Sequence, residues 1–265
     1  MPLFGKFLIK VTVIALPVLL LTVIVAAAER SISERSLAAD TIIKEAFQAG
    51  SGLPVGKIQS VRGETFIFHR DPTTGYRART GLPLYRGDIL RTRKNARLLC
   101  RLVDGSRLAL ASGTVLTLLQ ANSNSARKSS ESYLILRQGS AWFTVNPAPE
   151  ITTFEFKVET DTAFIQAHKA DFIVKAKSGR TEIINLEKSR LEVTNMSDPE
   201  EEYFLSDYQR AVIRPESVYP LIETISPTDA EALVSSLRFA PDSNLFTYRT
   251  WSSGTEDTTT EIKEE

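Results

Sequence analysis

The sequence is poor in the residues on which most chemistry depends. It has one cysteine, two histidines, two tryptophans and two methionines in 265 residues. A single thiol, Cys100, excludes an intramolecular disulfide framework and a dithiol redox pair. His69 and His168 lie far apart, and neither has a cysteine or second histidine at ligand spacing. No metal site is expected, because structural sites need three or four clustered ligands. No Ser or Cys nucleophile has a recognisable His partner, and no glycine loop is spelled to cradle a phosphate. Catalytic residues and cofactors are therefore expected to be none, and carboxylates such as Asp161 and Asp171 read as surface charge. Net charge is also absent, with 32 basic and 32 acidic residues. The charge is distributed unevenly, however. Val55 to Arg107 holds twelve basic and four acidic residues, and Glu150 to Glu265 holds twelve and twenty-three. So acidic a second half, with no nucleic-acid motif, argues against DNA or RNA as a partner.

Long apolar runs are absent except for one. Val11 to Ala28 (VTVIALPVLLLTVIVAAA) is uncharged, with Lys6 and Lys10 before it and Glu29 and Arg30 after it. As a helix it spans about 27 Å, the short end of what a bilayer core needs. With the lysines held in the cytoplasm, the body is exported. The segment reads as an inner-membrane anchor with a periplasmic body. The alternative is a signal peptide cut after Ala28, where Ala26 and Ala28 give the small-x-small pattern and the body becomes periplasmic or secreted.

Helical periodicity is nearly absent from the body. Leu37, Ile42, Ile43, Ala46 and Phe47 suggest a short amphipathic helix from Ser33 to Gln48, stopped at Gly50-Ser51-Gly52. Beyond it come about a dozen short strands with turn residues between them. They run from Lys57–Val61 to a last segment at Tyr203–Ile213, with Tyr133–Arg137 and Ala141–Val145 read as two strands and Gln120–Glu131 as a polar loop. The expected fold is all-β: a roll, a sandwich or a solenoid-like stack of antiparallel strands. Ser226-Pro227-Thr228-Asp229 then starts a helix ending near Phe239, with an N-cap serine, proline at N1 and an acid in the first turn. The expected organisation is a cytoplasmic stub at 1–10, the membrane segment at 11–28 and a helical stalk at 29–54. A β domain at 55–215, an extension at 216–250 and an acidic disordered tail at 251–265 follow.

The stretch from Gly87 to Leu118 is the most informative. Leu98, Cys100 and Leu102 share one strand face, and Leu108 and Leu110 must return to it. A two-residue Asp104-Gly105 loop would put the returning leucines on the wrong face. A three-residue loop of Val103, Asp104 and Gly105, with Gly105 left-handed, pairs Cys100 with Leu108 and Leu98 with Leu110. Cys100 then reads as a small core residue. On the other face parity groups Arg91, Arg93, Arg97, Arg101 and Arg107, with Arg101 opposite Arg107. Such a face is either solvated, guarding against edge pairing, or an anion-binding surface. Of Trp142 and Phe143, which point to opposite faces, one is expected in the core.

Several short motifs recur in order: Gly87-Asp88-Ile89-Leu90-Arg91-Thr92, the Asp104-Gly105-Ser106 turn, Leu136-Arg137-Gln138-Gly139 and Phe156-Lys157-Val158-Glu159-Thr160. Together they make the region from about Val55 to Pro215 resemble the FecR domain, the extracytoplasmic module of ferric-citrate-type transmembrane regulators. His168-Lys169-Ala170 stand where the family usually writes Arg-Gly-Thr, and Tyr208 replaces the glycine of a closing Leu-x-x-Gly-Gln turn. Sigma-regulating relatives carry a helical segment before the membrane helix, which Met1 to Lys10 is too short to form. The resemblance thus implies a membrane-tethered periplasmic module that binds an envelope protein, as a regulator or scaffold in signalling of the iron-uptake type. The alternative is an anionic envelope ligand, a glycan, lipid headgroup or metal chelate, held by the five arginines. The residues that shape the turns are Gly87, Asp88, Asp104 and Gly105.

Overall fold

The computed structural model describes residues 41–69, 71–124, 126–147, 149–187, 190–217 and 219–238. The membrane segment, the stub, the acidic tail, residues 29–40 of the expected stalk and residues 239–250 of the expected extension lie outside them. Among the described residues no helix is long and apolar enough to cross a membrane.

Short alternating segments separated by turns give a body made almost wholly of strands. In chain order the first half is β1 (Ile42–Lys44), β2 (Gly56–Arg62), β3 (Thr65–His69), β4 (Thr74–Arg77), β5 (Pro83–Leu84), β6 (Asp88–Thr92), β7 (Arg97–Leu102), β8 (Arg107–Leu110) and β9 (Val115–Asn124). The second half is β10 (Ser129–Val145), β11 (Thr153–Glu159), β12 (Ala163–Ala167), β13 (Ala170–Lys177), β14 (Arg180–Glu187), β15 (Leu191–Asn195), β16 (Asp198–Leu205), β17 (Gln209–Ile213) and β18 (Leu221–Thr224). One helix, α1 (Pro227–Leu237), follows.

The pairings form two layers. The first sheet runs β1-β4-β3-β6-β9-β10-β11-β12-β15-β16. The second runs β5-β2-β7-β8-β10-β13-β14-β17-β18. From β11 onward, hairpins fall alternately in the first and second sheet, so the chain stacks in two layers. β10 belongs to both. Its residues up to Gln138 pair with β9, and those from Gly139 pair with β8 and β13.

Inward-facing residues of both sheets make one continuous core. Leu90, Leu116, Leu134 and Phe156 come from the first sheet, and Leu98, Cys100, Leu108, Leu110 and Phe143 from the second. Phe143 stacks on Phe172 at 5.1 Å between ring centroids and meets the edge of Phe156 at 5.8 Å, so aromatic contacts cross between the layers. Each large side chain removed from water here contributes about 1.5–3 kcal/mol.

The β7–β8 hairpin has the register parity requires. Leu98 faces Leu110, Cys100 faces Leu108 and Arg101 faces Arg107. The loop is Val103-Asp104-Gly105, closed by the Leu102 N–H donating to the Ser106 carbonyl at 2.9 Å, with Gly105 at φ 91°. Asp104 is buried and accepts from the Ser106 N–H at 2.7 Å and the Ser132 hydroxyl at 2.6 Å, which ties the loop to β10.

The second sheet has a second apolar layer on its outer side. Ser226 caps α1, accepting from the Asp229 N–H at 3.1 Å, and Pro227 opens the helix. Arg238 turns extended and ends it. Ala230, Val234 and Leu237, spaced for one helix face, cover Leu99, Ala109, Trp142, Ile173, Ile184 and Leu186. Both Trp142 and Phe143 are therefore buried, in different cores.

Several expectations need correction. Residues 41–48 do not continue a helix. The β-branched Ile42 and Ile43 form β1, parallel to β4, because Gly75 leaves space for Ile43 and Phe68; a Cβ there would lie 2.9 Å and 2.6 Å from their side chains. The sheet is not purely antiparallel, since β11 returns parallel to β10 after that strand has crossed into the second sheet. Tyr133–Arg137 and Ala141–Val145 are one strand, bent rather than broken at Gly139. Gln120–Glu131 is no loop, because β9 and β10 continue pairing to Asn124 and Ser129. Tyr203–Ile213 is divided by a turn at 206–208. Beyond 55–215, β1, β18 and α1 also pack on the body.

Candidate functional site

The five arginines do not form one face. Parity assigns a side within a sheet, but β6 lies in the first sheet and β7 and β8 in the second, so their outer faces point away from one another. Arg91 and Arg93 sit over the first sheet's outer aromatics. The Arg91 guanidinium is 5.6 Å from the Phe68 ring centroid and that of Arg93 is 6.0 Å from Phe66. Arg77 reaches Phe66 from the other side at 5.8 Å. These cations lie over Phe66 and Phe68, which are buried although no helix among the described residues covers them. Burial, and then the neighbouring Arg93, holds Arg91 below its ordinary pKa.

Arg97, Arg101 and Arg107 border the patch covered by α1. Arg97 donates to the carbonyl of Arg238 at the helix end, where the exposed carbonyls carry negative partial charge. Arg97 is thus a clasp for α1. Arg101 is exposed, directly across from Arg107. Burial, followed by Arg101, lowers the Arg107 pKa. Arg107 and Asp171 flank Thr144 on either side in register.

Gly87 and Asp88 shape a corner of the first sheet. Gly87 takes φ 87°, and its N–H donates to the Leu118 carbonyl at 2.6 Å. Asp88 is fully buried. Its Oδ2 accepts from the Tyr85 N–H at 2.8 Å, and its Oδ1 lies 2.7 Å from Nδ1 of His69, its register partner on β3. The other His69 nitrogen, Nε2, donates to the Gln48 carbonyl at 2.8 Å. Phe47, Tyr76 and Tyr85 surround the imidazole with centroids 5.3, 5.1 and 5.6 Å away. This cluster pins the segment before β2 onto the body. Sequence reasoning missed it, because His69 and Asp88 meet only through the β3–β6 pairing. Burial raises the Asp88 pKa, with His69 and the Tyr85 N–H pulling less strongly the other way.

Among the described residues, two longer sheet edges are left unpaired and differ in character. β16, at the edge of the first sheet, carries Glu200, Glu201 and Glu202. β18, at the edge of the second, is exposed along its length, with Leu221 at 58% and Ile222 at 38%. The opposite edges, β1 and β5, have three and two residues. Among the described residues, no group of three His, Cys, Asp or Glu side chains is placed to hold a metal ion.

Residues 88–189, which include the β7–β8 hairpin, β10 and both halves of the inter-sheet core, match the family model described as FecR protein. The match to the FecR family thus spans the middle of the chain. No curated protein matches the chain. Two crystal structures of an anti-sigma factor candidate from Parabacteroides distasonis ATCC 8503, at 2.50 and 1.65 Å resolution, are similar at 17% identity and TM-score 0.45. The match covers 55% of this chain and 63% and 64% of those chains, so it spans less than two thirds of either.

Where the FecR resemblance gives glycine in the closing turn, Tyr208 keeps a left-handed backbone at φ 56° and packs beside α1's core. At the other departure, Lys169 lies at the corner between β12 and β13 without positive φ. His168 there donates from Nδ1 to the Phe154 carbonyl at 2.9 Å.

Proposed function

We propose that the chain is a non-enzymatic regulatory module of envelope signalling, tethered to the inner membrane by residues 11–28 with its β body in the periplasm. It acts by docking an envelope protein against the free edge of the second sheet. The match to the FecR family supports the regulatory reading. The observation that carries the docking reading is the contrast between edges. Natural sheets blunt their edges with charge or brevity, as the glutamates of β16 and the shortness of β1 and β5 do here. β18 instead presents Leu221 and Ile222 to solvent beside Tyr219, which is 67% exposed. Such an edge suits strand addition by a partner, in which main-chain hydrogen bonds supply affinity.

The test is a photo-crosslinking amino acid placed at Tyr219 or, on the opposite edge, at Glu201 of the full-length chain in cells. A single envelope-protein adduct is expected from position 219 and none from 201. The pair Leu221→Lys and Ile222→Lys should abolish the adduct while leaving the circular dichroism spectrum unchanged. Equal labelling from both edges, or an adduct indifferent to the lysines, would sink the reading.

A further inference from the structure

A cavity of about 490 Å³ opens at the corner where β10 passes from the first sheet to the second. That volume lies within the range of small-molecule sites. Its walls are fixed by backbone constraint and buried hydroxyls. Gly139 takes φ 95° and packs so closely that a Cβ would lie 2.5 Å from the Cα of Thr114. The Thr114 hydroxyl accepts from the Ser140 N–H and donates to the Ser140 carbonyl, both at 3.1 Å. On the far wall the hydroxyls of Thr160 and Thr162 each lie 2.7 Å from that of Thr181. They hold the turn bearing Asp161 against the strand bearing Arg180 and Glu182.

The charges converging on this corner do not balance. Arg137, Lys175, Lys177 and Arg180 face it, against Asp161 and Glu182. Both carboxylates are already engaged. Asp161 pairs with Arg137 at 3.2 Å, and Glu182 pairs with Lys175 at 3.1 Å and Arg210 at 3.8 Å. Lys177 and Arg180 have no carboxylate partner among the described residues. They also stand directly opposite one another in register, across the Ser178-Gly179 turn, whose residues take φ 44° and 73°. Both side chains are exposed, so solvent screens them in part, and an anion between them would relieve the remaining repulsion. The tight turn, which needs positive φ at both residues, holds them there. The motif Arg137-Gln138-Gly139 lines the same cavity, and every lining residue falls inside the matched 88–189 region.

We propose that this corner cavity binds a small polyanion carrying at least two carboxylate or phosphate groups, clamped by Lys177 and Arg180. The Gln138 amide, which keeps a second N–H beyond the one it gives the Gly113 carbonyl at 3.4 Å, serves as a neutral donor at its rim. The site is separate from the β18 edge, so it stands or falls independently of partner docking.

The test uses the full-length chain in detergent with two probes, inorganic pyrophosphate followed by phosphorus NMR line width and butanetetracarboxylate followed by calorimetry. At least one probe should bind at millimolar or lower concentration, and the tighter one names the ligand's headgroup. Lys177→Gln with Arg180→Gln should weaken that binding by roughly tenfold or more, the loss of two charge-assisted contacts. Arg127→Gln with Lys128→Gln, an equal charge removal on another turn, should not. No binding of either probe, or equal loss in both double variants, overturns the site.

Discussion

Asp88 shows how one buried carboxyl can couple a domain to the segment leading into it. Both nitrogens of His69 face acceptors, Asp88 Oδ1 and the Gln48 carbonyl. With an imidazolium the carboxylate suffices; with a neutral imidazole, which has one N–H to give, it takes a proton held by Asp88 to complete both contacts. That agrees with the direction burial imposes, which raises the Asp88 pKa above 3.8. A carboxyl raised in the folded state stabilises below its unfolded pKa, and that contribution is lost as pH rises through the folded value. The variant Asp88→Asn cannot ionise, yet it retains an oxygen for Tyr85 and an amide for Nδ1. The melting-temperature difference, wild type minus Asp88→Asn, should therefore fall as pH rises from about 3.8 through the raised pKa. A difference that grows over that window would show the ionised carboxylate to be the favoured form. Asp88→Ala should cost about 1–3 kcal/mol near pH 3.8 by stranding the buried Tyr85 N–H, and that cost should fall with rising pH alongside the Asp88→Asn difference.

At the scale of elements, what was legible followed from local rules and what was not depended on distant pairings. The β7–β8 register was readable because parity and a left-handed glycine leave one solution. α1 was readable from Ser226, Pro227 and Asp229. By contrast β10 looked like two strands, since Gly139 reads as punctuation until Thr114 is seen packed against it. The arginine face failed for a related reason: alternation tells in from out, never which of two sheets a strand joins. Lys177 and Arg180 carried a signal, a two-residue Ser-Gly turn between like charges, but the cavity behind them is built from three separate turns and the bend of β10. α1 itself is held by few contacts, which makes it a sensitive element. Leu237→Ala should cost about 2–5 kcal/mol through the cavity it leaves under the helix. Ser226→Ala should cost about 1 kcal/mol through the lost cap. In a Trp251→Phe background, Leu237→Ala should also shift Trp142 emission to the red, because Ala230, Val234 and Leu237 are what cover that indole. If neither substitution changes urea midpoints and the emission stays put, α1 is not seated as described.

For the whole molecule, the sequence's charge asymmetry becomes a spatial one. Pairing order in the first sheet nearly follows chain order, so Arg77 and Arg91 on β4 and β6 lie toward one end and the glutamates of β15 and β16 at the other. Despite that polarity the two layers cannot separate piecemeal, because β10 is a central strand of both and the inward residues form one core. Cys100 reports on this. It is fully buried, pairs in register with Ile58 on one side and Leu108 on the other, and burial pushes its thiol pKa far up. No local fraying of an edge reaches it, so its exposure requires the layers to part. Thiol labelling of Cys100 across a urea titration should therefore coincide with the loss of far-ultraviolet circular dichroism in a single transition. A cysteine placed at Met196, which is 47% exposed, should react at once in the native protein. Labelling of Cys100 well before the circular dichroism transition would mean that the sheets open independently and that β10 does not bind them into one cooperative unit.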